Sequence, residues 1–216
     1  MKEIARPTLG GSLRCRRCRC DPRVCICGVL PCLHLPYDLV FYSHPLEYWR
    51  QSNTARLASL SIAGAPLFIS TDRIDEVALH ETLEQLTWAY LVFPETASVS
   101  IEQVRRDPRW DSGKKPTFVM IDGSWRQARK MTRRLAARYP FPSLVVPPGQ
   151  GLESRMRQQK DPSRMCTAEA VVSLIASLDL TDNHPERQLM GALEVHVRMQ
   201  LALRGIRTPV NSPESM

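Results

Sequence analysis

Six of the seven cysteines, Cys15, Cys18, Cys20, Cys25, Cys27 and Cys32, fall within the first 32 residues, and only Cys166 stands apart. Zinc accepts four thiolate sulfurs with no geometric demand beyond a tetrahedron, so the run RCRRCRCDPRVCICG reads as a metal knuckle. We assign its ligands to the pairs Cys15-x2-Cys18 and Cys25-x-Cys27, with Cys20, Cys32 and His34 as alternatives for one position. Four protein ligands leave no open position for a substrate, so the expected zinc is structural and staples a segment too small to build its own core. The competing reading is a set of incidental reduced thiols.

The second group able to do chemistry is IDGSWRQARKM, Ile121 to Met131. An acidic residue ending an apolar run, followed by Gly123, Ser124 and Trp125 as a helix begins, places a carboxylate and an indole where α/β proteins bind ligands. Taken alone, Asp122 also suits a helix cap and Trp125 a core position. The helix behind them carries Arg126, Arg129, Lys130, Arg133 and Arg134 at three- and four-residue spacings, a cationic stripe suited to phosphates. Arg155, Arg157, Lys160 and Arg164 form a second basic cluster, and the formal net charge is +7. Such a balance attracts polyanions without choosing among them; with the cationic stripe, nucleic acid is favoured and an anionic membrane surface is the alternative.

Elements must bring these groups together. The pattern predicts strands in DLVFYSHP (38–45), PLFIS (66–70), AYLVFP (89–94), TFVMID (117–122) and SLVVP (143–147). Between them lie helices capped by Ser52 or Asn53, over DEVALHETLEQL with Val77, Leu79, Leu83 and Leu86 inward, and from Trp125 to Arg138. Two more follow, over TAEAVVSLIASL and from Pro185 to Arg204. Alternating strands and helices predict an α/β fold with a largely parallel sheet covered by helices on both faces. We divide the chain into a loose tail (1–12), a zinc knuckle (13–35), one catalytic domain (36–204) and a second tail (205–216). No apolar run reaches the roughly 18 to 20 residues of a spanning helix, and MKEIARPTLGGSLRCRRC lacks the apolar stretch of a secretory signal. The expectation is a cytoplasmic protein with no membrane partner, whose thiols stay reduced unless a metal holds them.

IDGSWRQARKM closely resembles the motif of the DTW-domain family, whose usual form is Asp-x-Thr-Trp, with Ser124 in the threonine's place. HPLEYWRQSNTARL, LVFPE, SRMRQQKDPSRMCTAEA and the N-terminal cysteines resemble the family's other blocks in the same order, over roughly residues 14 to 180. The resemblance implies the TDD superfamily, a SPOUT-like fold with a knotted cofactor site, and transfer of the 3-amino-3-carboxypropyl group of S-adenosylmethionine to N3 of a tRNA uridine. Methylthioadenosine would leave.

It further implies Asp122, Ser124 and Trp125 as catalytic residues, Asp122 as general base or orienting group and Trp125 as a stacking surface. Phe93, Pro94, Asp122, Gly123, Cys166, Thr167 and Ala168 would bind the cofactor. Asn53, Thr54 and Arg56 would face the mouth of the site and contact RNA, unless they only cap a helix. Arg126, Arg129, Lys130, Arg133, Arg155 and Arg157 would take phosphates. Dimer and monomer stay open, and the rivals are a SPOUT-type RNA methyltransferase and a non-catalytic zinc-containing RNA-binding protein.

Overall fold

A computed structural model describes residues 14–95, 97–149, 165–178 and 182–206. The elements run β1 (Asp38–Ser43), α1 (Pro45–Tyr48), α2 (Thr54–Ser61), β2 (Leu67–Ile69), α3 (Arg73–Glu84), β3 (Ala89–Val92) and α4 (Ile101–Arg105). They continue with β4 (Thr117–Asp122), α5 (Trp125–Ala136), β5 (Ser143–Leu144), α6 (Thr167–Leu178) and α7 (Pro185–Leu203). Among the described residues the strands form one sheet in the order β2-β1-β4-β3-β5, with every neighbouring pair parallel. The expected α/β class and parallel sheet are therefore present.

Side chains alternate across a strand, and each central strand here is apolar on both faces. Leu39, Phe41, Tyr90, Val92, Phe118 and Met120 enter one core with residues of α2, α6 and α7. Val40, Tyr42, Leu91, Phe93, Val119 and Ile121 enter the other, against α3 and α5. In α5 the buried positions are Ala128, Met131, Thr132 and Leu135, a spacing that leaves its charged residues facing water.

The expectation for α3 needs a correction. Leu79 and Leu83 are buried, whereas Val77 is 54% exposed. Two residues along a helix are about 200° apart around its axis, so Val77 and Leu79 could not both face the sheet. The segment between β3 and β4 also holds α4, which the apolar pattern did not announce but a capping box does: Ser100 and Gln103 bond each other's backbone N–H groups.

Candidate active site and metal centre

β1 and β4 are paired so that Ser43 lies opposite Asp122 at their carboxyl ends. The Asp122 side chain is buried, and its oxygens accept three side-chain hydrogen bonds. Ser43 Oγ donates to Oδ2 at 2.5 Å, Asn53 Nδ2 to the same oxygen at 2.8 Å, and Thr167 Oγ1 to Oδ1 at 2.6 Å. One carboxylate thus ties together β1, the start of α2 and the start of α6. His44, next to Ser43, caps α1 through Nδ1, which accepts from Leu46 N–H.

Asn53 and Thr54 were expected to meet RNA, with helix capping as the alternative, and both are buried. Asn53 caps α2 by accepting from Arg56 N–H at 2.7 Å, and Thr54 Oγ1 accepts from Ala168 N–H at 3.5 Å. Arg56 is equally enclosed, 5% exposed, and binds backbone carbonyls instead of facing a mouth. The reason is their place beneath the strand ends, where α2 and α6 pack together.

Beyond the carboxyl ends of β3, β4 and β5 lies a cavity of about 280 Å³. Phe93, Pro94, Gly123, Trp125, Cys166 and Thr167 line it together with Met120, Ile121, Val146 and Met165. Five of the seven expected cofactor residues therefore line one cavity. Asp122 supports it through Thr167, and Ala168 lies buried behind it. A side chain on Gly123 would bring its Cβ within 3.2 Å of Gln127 Cβ and 3.3 Å of Ala128 N, so glycine lets α5 start close against the strand end. Glu169 is buried and its carboxylate accepts from Cys166 N–H at 2.7 Å, which occupies it in starting α6. Burial, reinforced by neighbouring Glu169, pushes the Cys166 thiol up to about 12, so it is a neutral wall and not a nucleophile.

Ser124 is exposed, and its hydroxyl and N–H both donate to Gln127 Oε1, at 2.7 and 2.8 Å. Trp125 packs on Phe93 with ring centroids 5.4 Å apart. Its indole also heads a second, open groove of about 610 Å³ lined by Arg126, Arg129, Lys130, Arg133 and Arg134 of α5. Arg133 has Glu95 across from it at 3.6 Å. Arg155, Arg157, Lys160 and Arg164 lie outside the described residues.

In the knuckle the sulfurs of Cys15, Cys18, Cys25 and Cys27 all lie within 4.8 Å of one another, with Cys15 to Cys27 at 3.6 Å and Cys18 to Cys25 at 3.7 Å. Sulfurs about 2.3 Å from a tetrahedral ion are roughly 3.8 Å apart, so this donor set could hold a metal ion. Against the desolvation that opposes it, N–H groups of Cys18 and Arg17 draw Cys15 down to about 6, whereas burial and the neighbouring thiols push Cys27 up, so the set favours its first thiolate and resists further ones. The alternatives fall away from the set. Cys20 is wholly buried, bonding the Gln51 carbonyl at 3.6 Å, and burial pushes its thiol up to about 12. Cys32 is exposed beside His34 at 3.9 Å. The knuckle has no separate core: Cys18, Cys20, Val24 and Ile26 pack into the same cluster as Phe41 and Phe118.

Sequence reasoning missed Ser43, because a small polar residue ending a strand gives no sign of its register partner. The family model described as DTW domain matches residues 12–201. No solved structure matches the chain.

Proposed function

This chain belongs to the DTW-domain family, and from that premise we propose that it transfers the 3-amino-3-carboxypropyl group of S-adenosylmethionine to N3 of a uridine in tRNA. The observation that carries the reading is the placement of Trp125 in the walls of both the strand-end cavity and the basic groove. A polyanion held along α5 would thereby present a base beside a pocket of nucleoside size.

The uridine N3 gives up its proton to water at the cavity mouth and bonds the γ-carbon of the methionine side chain. The γ-carbon–sulfur bond breaks with its electron pair going to sulfur, and neutral methylthioadenosine leaves. Because a sulfonium is already a good leaving group, the chain's task is orientation of that carbon toward the base. Phe93, Pro94, Gly123, Cys166 and Thr167 hold the cosubstrate, with Ala168 fixing the wall from behind. Trp125 stacks on the target base. Asp122 acts as an orienting group, since its oxygens already accept three bonds, one of them from Thr167, which lines the cavity. Ser124 contributes by starting α5, and Asn53 and Thr54 by holding Asp122 and Ala168.

Arg126, Arg129, Lys130, Arg133 and Arg134 take phosphates, joined by Arg155 and Arg157. The four thiols hold zinc, which supplies a fixed cross-link and no chemistry. A knotted SPOUT-like chain path and a cytoplasmic site of action belong to the same reading; among the described residues no helix is long and apolar enough to cross a membrane.

The test is incubation of the purified chain with bulk tRNA and labelled S-adenosylmethionine, followed by nucleoside mass spectrometry. Aminocarboxypropyl-uridine and methylthioadenosine are expected. Methylated nucleoside with S-adenosylhomocysteine would replace the reading by methyl transfer, and neither by-product by RNA binding alone.

A further inference from the structure

The buried cation Arg56 is hydrogen-bonded toward both the thiol cluster and Asp122, with Tyr48 packed on it and Trp49 on Tyr48. The Arg56 guanidinium lies over the Tyr48 ring, 5.1 Å from its centroid. Its Nη1 donates to the carbonyls of Cys18 at 3.1 Å and Arg50 at 3.3 Å, and its Nη2 to Tyr48 O and to Arg50 O at 3.4 Å. Cys18 belongs to the cluster of four thiols. Four thiolates around one divalent ion carry two net negative charges, which helps to offset the desolvation of a guanidinium one hydrogen bond away.

The other end of Arg56 leads to the candidate site. Its backbone N–H is held by Asn53 Oδ1 at 2.7 Å, and Asn53 Nδ2 donates to Asp122 at 2.8 Å. Asp122 in turn accepts from Thr167, whose side chain lines the cavity. Other contacts clamp the connection between α1 and α2 to the knuckle. Arg14 Nη1 donates to Trp49 O at 2.9 Å, Asp21 N–H to Gln51 Oε1 at 3.0 Å, and the Arg19 guanidinium stacks 4.6 Å from the Trp49 ring centroid.

We infer that Arg56 is a positioning residue through which the metal-holding knuckle sets the geometry of Asp122, Thr167 and the cavity wall. A bound metal fixes the Cys18 carbonyl, that carbonyl fixes the guanidinium, and the start of α2 is then held where Asn53 meets Asp122. The cavity-binding part of the test rests on the function proposed above; the amide-exchange part does not.

The experiment compares full-length zinc-loaded chain, chelator-stripped chain and Arg56→Lys by metal content, hydrogen–deuterium exchange and equilibrium binding of S-adenosylmethionine. Arg56→Lys should keep one zinc per chain, because the four thiols are untouched, while a single ammonium cannot span the carbonyls of Cys18, Tyr48 and Arg50 together. Exchange over 51–56 and 165–170 should quicken by on the order of tenfold while β4 and α5 keep their protection, and the stripped chain should show the same pattern. Affinity for S-adenosylmethionine should fall in parallel.

Should Arg56→Lys fail to fold, Arg14→Ala removes one clamp on Trp49 and leaves the cation in place; exchange over 51–56 should quicken by roughly threefold. Unchanged exchange over 165–170 in both the stripped chain and Arg56→Lys would overturn the inference, as would uniform quickening across β4 and α5. If the zinc-loaded wild type binds no S-adenosylmethionine, the proposed function fails while the exchange pattern still decides the coupling.

Discussion

Asp122 could serve as a base or as a bolt, and its surroundings separate the two by experiment. Ser43, Asn53 and Thr167 all donate to it, so Asp122→Ala leaves three donors without the acceptor they share. Leaving a buried polar group unpaired costs about 2 kcal/mol, which denaturant unfolding should register. Affinity for S-adenosylmethionine should drop with it, because Thr167 loses its anchor. A residue acting only as a base would give the opposite pattern, with stability and affinity kept and turnover lost.

At the scale of an element, α5 divides its labour by face. Ala128, Met131 and Leu135 bury one side against the sheet, and the arginines and lysine line the groove on the other. Arg129 and Lys130 stand midway along that groove and are exposed, so replacing both by alanine should not disturb the core. The double variant should bind tRNA more weakly, and the slope of log affinity against log salt should flatten by roughly two units, about one per lost phosphate contact. Binding that stays as strong and as salt-sensitive as wild type would remove this face from the RNA-binding surface. α3 carries a reminder that spacing counts for more than composition: its apolar residues form two stripes, and the sheet covers only the one with Leu79 and Leu83.

For the whole molecule, a prediction about acid centres on His196 of α7, which is wholly buried and among the described residues has no partner for either ring nitrogen. Desolvation, helped by the Arg56 cation, lowers it from 6.5 to about 4. Between those values the unfolded chain carries the proton and the folded chain does not. This contribution is therefore complete above pH 6.5, declines as the pH falls, and levels off below about 4, a loss of roughly 3 kcal/mol. Urea unfolding across that range should show it, and His196→Leu should flatten the curve; an equally steep curve in the variant would assign the acid sensitivity elsewhere. By itself the sequence determined the α/β alternation, the position of α6, the four thiols and the basic stripe, because all of these are local patterns of spacing that a helix, a strand or a knuckle imposes on its own residues. Only the tertiary structure decided what Asp122 touches, that Asn53, Thr54 and Arg56 are buried, and that Tyr48 and Trp49 dock the knuckle. Those facts depend on strand register and on helices distant in the chain meeting beneath the sheet's edge, and neither leaves a period in the sequence.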